Sequence, residues 1–182
     1  MKMREWKVLW VREGFSSPLF RVKVKGALSP RTGKSAEFFT IETRDWVGII
    51  PLLEGDVLMV RQFRHGSEEF TLEIPGGLVD EERPEEAARR ELREETGFEA
   101  ESVELLGVLK PQPAIFNNRF HVFLATGLRK VGEPALEDGE DLEVIRLPLK
   151  QVFREMVEGR IDHALVLAAF KLFELRHPEL LG

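Results

Sequence analysis

The chain has 182 residues, of which 43% are hydrophobic and 32% charged, and its formal net charge is −6. This balance indicates one globular domain, and the acidic charge argues against a general nucleic-acid binder, which would show a basic stripe. The absence of cysteine excludes disulfides, zinc–thiolate sites and cysteine nucleophiles. No stretch reaches the roughly 20 apolar residues of a membrane span, and Met1–Trp10 lacks the apolar segment of a signal peptide. We therefore expect a cytoplasmic protein with no membrane partner.

The first half of the chain is predicted to form strands, because β-branched and aromatic runs alternate there with turn residues. The Glu54-Gly55-Asp56 segment separates two apolar runs and predicts a hairpin turn. The predicted strands are Trp6–Val11, Leu19–Val24, Glu37–Thr43, Val47–Leu53, Val57–Gln62 and Phe70–Ile74.

The second half mixes helices and strands. A helix is predicted from Pro84, a residue suited to a first helical turn, to Thr96, with Gly97 as its C-terminal cap. The remaining predicted elements are strands at Val103–Leu109, Arg119–Thr126 and Leu142–Leu147 and helices at Leu149–Glu158 and His163–Arg176. The chain is therefore predicted to be α+β, with a mixed sheet and few helices.

Three glutamates of the first helix share one face. Glu94 and Glu95 stand three and four positions after Glu91, a spacing that brings like charges together and costs about 0.2–0.5 kcal/mol per pair. Glu94 and Glu95 also lie in the last turn, where the helix dipole disfavours anions by roughly 0.3–1 kcal/mol each. A hard divalent cation would neutralise this cluster, because carboxylate oxygens are the ligands that Mg²⁺ prefers.

The competing interpretation is a solvated helix with ordinary ion pairs, and Glu85–Arg89 and Glu86–Arg90 have the spacing for such pairs. The segment Glu73–Gly77 favours the metal site, because it brings a strand into a glycine turn whose backbone can closely approach a ligand.

Residues 76–98 resemble the Nudix signature, a glycine, glutamate and arginine pattern of 23 positions. The matching residues here are Gly76, Glu82, Arg90-Glu91-Leu92, Glu94-Glu95 and Gly97-Phe98. Seven fixed non-hydrophobic positions at set spacing make a chance match very unlikely. The resemblance implies a Nudix α/β/α sandwich with a mixed central sheet, in which Leu92 and Ala88 face the core.

The resemblance also implies the roles of the signature residues. Glu91, Glu94, Glu95 and the carbonyl of Gly76 are the implied ligands of Mg²⁺, for which Mn²⁺ can substitute. Glu94 is also placed in the catalytic set with Arg90, which would orient a glutamate through a bidentate pair. The carbonyl of Gly77 is the alternative to that of Gly76, because many members of the family have a loop one residue longer.

Further segments resemble ADP-ribose pyrophosphatases and nucleotide-sugar hydrolases, among them Val60–Arg64, His121–Ala125 and Glu158–Asp162. In that subgroup a glutamate on the loop after the last central strand helps to activate the attacking water. Glu140 is the first choice for this general base, with Glu137 and Asp138 behind it, and a solvated acidic loop is the competing interpretation.

Five residues are the candidates for substrate binding. Arg64 matches a substrate-contacting position of the subgroup, and Pro113 stands 16 residues after Gly97, an offset associated with ADP-ribose pyrophosphatases. The full set is Arg64, Arg44, Trp46, Pro113 and Arg119. Trp46, Phe116 and Phe120 could stack on a base, although aromatic residues are more often part of the core. The histidines at 65, 121 and 163 lack metal-ligand spacing and receive no catalytic role.

The N-terminal 40 or so residues exceed what the catalytic fold needs. The subgroup resemblance implies that residues 1–43 form an additional antiparallel sheet that contributes to a homodimer, with residues 44–182 as the Nudix catalytic domain. The expected reaction is Mg²⁺-dependent hydrolysis of ADP-ribose to AMP and ribose 5-phosphate. GDP-mannose, another nucleotide sugar or a dinucleotide is the alternative substrate. A Nudix-fold nucleotide sensor without catalysis is the alternative from another class, disfavoured because every signature glutamate is present.

Overall fold

The structure is a computed structural model that describes residues 4–136 and 139–181. The described residues form nine strands and three α-helices. In chain order these are β1 (Lys7–Ser16), β2 (Phe20–Leu28), β3 (Ser35–Thr43), β4 (Trp46–Leu53), β5 (Asp56–Arg64), β6 (Glu69–Glu73), α1 (Pro84–Thr96), β7 (Phe98–Leu109), β8 (Phe120–Lys130), β9 (Leu142–Pro148), α2 (Leu149–Val157) and α3 (Ala164–Arg176), followed by a 3₁₀ turn at Pro178–Leu181.

The element predictions are confirmed, with differences at the ends of strands. The bounds of α1 are as predicted, and the β4–β5 hairpin turns at Glu54 and Gly55, both with positive φ. The largest errors are five residues: β1 ends at Ser16 rather than at Val11, and β7 begins at Phe98 rather than at Val103. Gly97 adopts the left-handed conformation, with φ of 74°, and reverses the chain directly into this strand. β7 is an edge strand, and its first residues include charged side chains. These charges interrupt the apolar pattern from which a strand is predicted.

The chain divides into two compact units. The first comprises residues up to Arg44 together with Lys110–Arg119 and contains the antiparallel sheet β1-β2-β3. The segment 110–119 belongs to this unit through Ile41, whose N–H donates to the carbonyl of Ile115 at 2.6 Å and whose carbonyl accepts from Asn117 at 3.2 Å. The division predicted from the sequence had assigned this segment to the catalytic domain.

The second unit, Asp45–Leu109 with the chain from Phe120 onward, contains a mixed sheet in the order β6-β5-β4-β8-β7. β4 and β8 are parallel, and the other neighbours are antiparallel. β9 pairs with β5 along Asp56–Gln62, so β4 and β6 share the opposite edge of β5. β4 uses that edge only at Leu52 and Leu53, which leaves room beside β4 for the chain that follows β6.

Side chains of β4 alternate between two cores, one on each face of the sheet. Val47 and Ile49 pack with Leu92 of α1, whereas Ile50 packs with Phe170 of α3. This alternation is the expected consequence of the two-residue period of a strand buried on both sides. The predicted α+β class, with a sandwich around a mixed sheet and an additional N-terminal antiparallel sheet, is confirmed. No helix among the described residues combines the length and apolar character needed to cross a bilayer.

Candidate active site

Helix α1 is fixed by both of its ends and by its buried face. Pro84 occupies the first turn, and the Glu86 side chain accepts from the N–H of Arg83, the N-cap residue, at 3.0 Å. Ala88 and Leu92 are buried against β4 and β8, as predicted for the core face. The glutamate face of α1 is thereby held beside the segment that follows β6.

The three glutamates differ in environment. Glu95 is 4% exposed, and its Oε2 accepts from the N–H of Gly76 at 2.9 Å. Burial raises the pKa of Glu95 to about 8, and the negative charges of Glu91 and Glu140 add to this rise. Burial likewise raises the pKa of Glu91, which is 7% exposed, whereas the Glu94 side chain is 40% exposed. Two buried carboxylates therefore share a small volume in which a cation would stabilise their ionised forms.

The glycine segment after β6 lies against both β4 and the glutamates. Carbonyls on either side of Gly76, those of Pro75 and Gly77, accept from the N–H groups of Ile49 and Val47 at 2.8 and 2.9 Å. In an extended chain successive residues point to opposite sides, so the N–H and C=O of Gly76 face away from β4, and the N–H meets Glu95. Of the two carbonyls considered as metal ligands, that of Gly77 is engaged by β4.

Both glycines are required by close approach. A Cβ at position 76 would stand 2.2 Å from the carbonyl oxygen of Val47, and one at position 77 would stand 2.3 Å from Oε1 of Glu91. Any side chain here would therefore displace either β4 or a glutamate of the site.

Arg90 connects the carboxylates. Its Nη1 donates to Glu91 at 2.8 Å and to Glu94 at 2.9 Å, and its Nε and Nη2 donate to Glu82 at 3.1 and 2.9 Å. Partial burial opposes the charge of Arg90, but these hydrogen bonds and charges outweigh it and raise its pKa. The predicted Glu86–Arg90 pair is wrong, because Glu86 binds Arg83 instead. The predicted Glu85–Arg89 pair is confirmed at 3.4 Å.

A second charged pair lies in a cleft of about 320 Å³. Arg64 donates through Nε and Nη2 to the two carboxylate oxygens of Glu73, each at 2.7 Å, and Thr71 donates to the same carboxylate at 2.6 Å. Burial alone would raise the pKa of Glu73, but the hydrogen bonds from Arg64 and Thr71 lower it. Trp46, Phe120, Gly76 and His163 are among the residues that line the same cleft.

The structure brings together part of the predicted site. Arg64 and Trp46 line the cleft, and the charge of Glu140 reaches Glu91 and Glu95. Glu137 and Asp138 lie outside the described residues. Arg44, Pro113 and Arg119 belong to the first unit, and their part in substrate binding stays a prediction.

Two residues of the cleft were missed. Glu73 stands three positions before Gly76, and His163 is the N-cap residue of α3. Glu73 pairs with Arg64, nine positions earlier in the chain, because β5 and β6 are neighbouring antiparallel strands. This spacing matches neither the helical period nor one face of a single strand, so the sequence pattern did not predict the pair.

The residues present fit a divalent cation. The available donors are carboxylate and carbonyl oxygens, and Glu95 is a buried carboxylate whose pKa is raised by that burial. Within residues 4–136 and 139–181, no three acidic or histidine side chains already converge as a closed ligand set. The guanidinium of Arg90 instead holds Glu91 and Glu94 by direct hydrogen bonds.

Comparisons with known proteins agree with this geometry. The NUDIX domain matches residues 42–170. The chain is 31% identical over 163 residues to the ADP-ribose pyrophosphatase of Bacillus subtilis (strain 168), which covers 88% of this chain and 87% of that one. It is 29% identical over 178 residues to the methanol dehydrogenase activator of Bacillus methanolicus, with 96% of each chain covered. A crystal structure of an ADP compounds hydrolase superposes with a TM-score of 0.87 at 26% identity, covering 98% of this chain and 97% of that one. The chain therefore belongs to the Nudix family and is a Nudix hydrolase.

Proposed function

We propose that the protein hydrolyses the diphosphate bond of a nucleoside diphosphate derivative in a reaction that depends on Mg²⁺. The observation that carries this proposal is the buried pair Glu91 and Glu95, which packs against Gly76–Gly77. The negative charge of Glu140 acts on this pair and helps to raise the pKa of Glu95. An acidic cluster of this kind, with a raised pKa, is stabilised by a cation. The glycines let the backbone lie directly against this pair.

The proposed roles follow from the contacts. Glu91, Glu94, Glu95 and the Gly76 carbonyl would hold Mg²⁺, with Mn²⁺ as a substitute. When bound, the ion would neutralise the diphosphate and acidify a coordinated water. Arg90 positions Glu91 and Glu94 through its Nη1. Glu94 completes the catalytic set.

Glu140 is the proposed general base. It takes a proton from the attacking water, whose oxygen forms a bond to one phosphorus while the bridging P–O bond breaks. The second phosphate leaves with the bridging oxygen, so two monophosphates result. The proximity of the Glu140 charge to Glu91 and Glu95 supports this role.

ADP-ribose is the proposed substrate, with AMP and ribose 5-phosphate as products. The support is the similarity to an ADP-ribose pyrophosphatase along 88% of this chain and to an ADP compounds hydrolase structure along 98%. Within the cleft, Arg64 and Trp46 would contact the substrate. Arg44, Pro113 and Arg119 are further proposed substrate-binding residues.

The test is turnover of a panel with Mg²⁺ that contains ADP-ribose, GDP-mannose, UDP-glucose, NADH and diadenosine polyphosphates. We expect ADP-ribose to be preferred by an order of magnitude or more. Preference for GDP-mannose would contradict the proposed substrate but keep the reaction. No turnover of any compound by a folded, Mg²⁺-bound protein would overturn the proposal in favour of a nucleotide sensor.

Three variants test the assigned residues. Glu95→Gln is expected to abolish turnover, and Glu140→Gln to lower kcat by about 10²–10⁴, the usual contribution of a general base. Glu133→Gln is the matched control, because Glu133 is an exposed glutamate that pairs with Lys130. Loss of turnover in Glu133→Gln as large as in Glu140→Gln would contradict the assignment of Glu140.

We also propose that the chain forms a homodimer through its N-terminal sheet. Every residue of β1 is exposed in the single chain, and the large apolar side chains of that strand include Trp10 and Phe15. Exposed large apolar side chains gathered on one strand are typical of an interface. Light scattering after size exclusion is expected to give twice 20.9 kDa, and a mass of 20.9 kDa at micromolar concentration would contradict the dimer.

A further inference from the structure

His163 lies in the cleft of the Arg64–Glu73 pair, although its sequence context gave it no role. It is the N-cap residue of α3, with φ of −63° and ψ of 114°. His163 lines the cleft of about 320 Å³ together with Arg64 and Glu73, and a cavity of this size suits part of a small-molecule ligand.

The capping contact fixes the orientation of the ring. Nδ1 of His163 accepts from the N–H of Leu165 at 3.2 Å, the bond by which an N-cap side chain satisfies an unpaired donor of the first turn. Because Nδ1 acts as the acceptor, the neutral ring carries its proton on Nε2. His163 therefore offers a positioned N–H donor in addition to its role as a cap.

The other groups of the cleft decide what such a donor can bind. Glu73 is 4% exposed, its carboxylate accepts from Arg64 and Thr71, and Arg64, Glu73 and His163 line the same cleft. Trp46 and Phe120 supply apolar walls. Because Arg64 is already paired with Glu73, the two charges balance, and a neutral hydroxyl group can accept from Nε2–H. A sugar offers such hydroxyls and an apolar ring face.

We propose that His163 is a specificity-determining residue whose Nε2–H donates to a sugar hydroxyl of the nucleoside diphosphate substrate. The inference rests on the proposed function, and it adds a substrate contact on the α3 side of the sheet, opposite the face that packs against α1. The capping role and the substrate contact use different ring nitrogens, so substitutions can separate them.

The test compares His163→Asn with His163→Ala. Asparagine is a strong N-cap residue and keeps an acceptor for the Leu165 N–H, but it ends short of the Nε2 position. We expect the melting temperature of His163→Asn to match the wild type, while His163→Ala melts roughly 2–4 °C lower. Both variants are expected to raise KM for ADP-ribose by about 2- to 12-fold with little change in kcat, the effect of one neutral hydrogen bond.

ADP-ribose analogues that lack single ribose hydroxyls identify the contact. One analogue is expected to be a poorer substrate for the wild type by the same factor, and the His163→Asn variant is expected not to distinguish it from ADP-ribose. His65→Asn is the matched control, because His65 is an exposed histidine that contacts Phe63. Its kinetics are expected to be those of the wild type.

The alternative outcomes are distinguishable. If His163→Asn restores both stability and KM, His163 is a cap alone and the inference is overturned. If the Asn variant loses the same factor on every analogue, the contact is not to a single hydroxyl, and the inference is again overturned. If the wild type itself fails to turn over any nucleoside diphosphate sugar, the proposed function fails first.

Discussion

Replacing Arg90 by alanine removes the cation that lies between three carboxylates. Its guanidinium donates to Glu82, Glu91 and Glu94 at 2.8–3.1 Å. Truncating one partner of a buried charged network costs about 3–5 kcal/mol. The Arg90 side chain is 31% exposed and that of Glu94 is 40% exposed, so solvent screening reduces the expected loss to about 2–3 kcal/mol. For a chain of this size that loss lowers the melting temperature by roughly 4–12 °C.

The assay is differential scanning calorimetry of Arg90→Ala and wild type in EDTA and again in Mg²⁺. We expect the difference to shrink in Mg²⁺, because a bound cation neutralises the glutamates that Arg90 would otherwise neutralise. Turnover is expected to fall about 10–100-fold in Mg²⁺, since the glutamates lose their orienting partner. Arg90→Lys keeps the positive charge but lacks the planar guanidinium group. Its turnover is expected to lie between those of Arg90→Ala and the wild type. An Arg90→Ala protein that melts within about 1 °C of the wild type in EDTA would refute the reasoning.

Two further predictions concern the glycine segment and the cleft. Gly77→Ala places a Cβ 2.3 Å from Oε1 of Glu91 and is expected to lower kcat by about tenfold or more in steady-state kinetics. Gly66→Ala is the control and should leave kcat unchanged, because the site has open space around it. Equal losses of kcat in both variants would contradict the prediction. Burial opposes ionisation of Glu73, but the hydrogen bonds from Arg64 lower its pKa in the folded protein. The pair therefore stabilises the fold at pH values above the unfolded-state pKa of about 4.5. This stabilisation is lost as the pH falls through the lower pKa of the folded state. Glu73→Gln is therefore expected to flatten the acid side of a melting-temperature profile, and an unchanged profile would count against the pair.

The predictable parts of the site are the residues that belong to a single helix, α1. Glu91, Glu94 and Glu95 share a face because of the helical period, and Pro84 and Gly97 mark the ends of α1, so local spacing was sufficient. The pairing of Arg90 was not predictable from spacing alone. Its i,i−4 neighbour Glu86 was available, but Glu86 caps the helix through Arg83, and Arg90 turns towards the site.

The parts that were missed depend on tertiary contacts. Residues 110–119 join the first unit through the backbone of Ile41, about 70 positions away in the chain, and no local pattern reports that pairing. His163 reaches the cleft because α3 packs on the face of the sheet opposite α1. A residue that begins a helix and also faces a cavity looks, in sequence, like an ordinary cap.

The alternation of β4 between two cores has a consequence for how this enzyme can diverge. Substitutions around Val47 and Ile49 change the core that packs against α1, whereas those around Ile50 change the core that packs against α3. Because each face packs with its own partners, changes on the α3 side leave the packing of α1 intact. Substitutions at the start of α3 can therefore change residues around the cleft while the core behind the glutamate helix is kept.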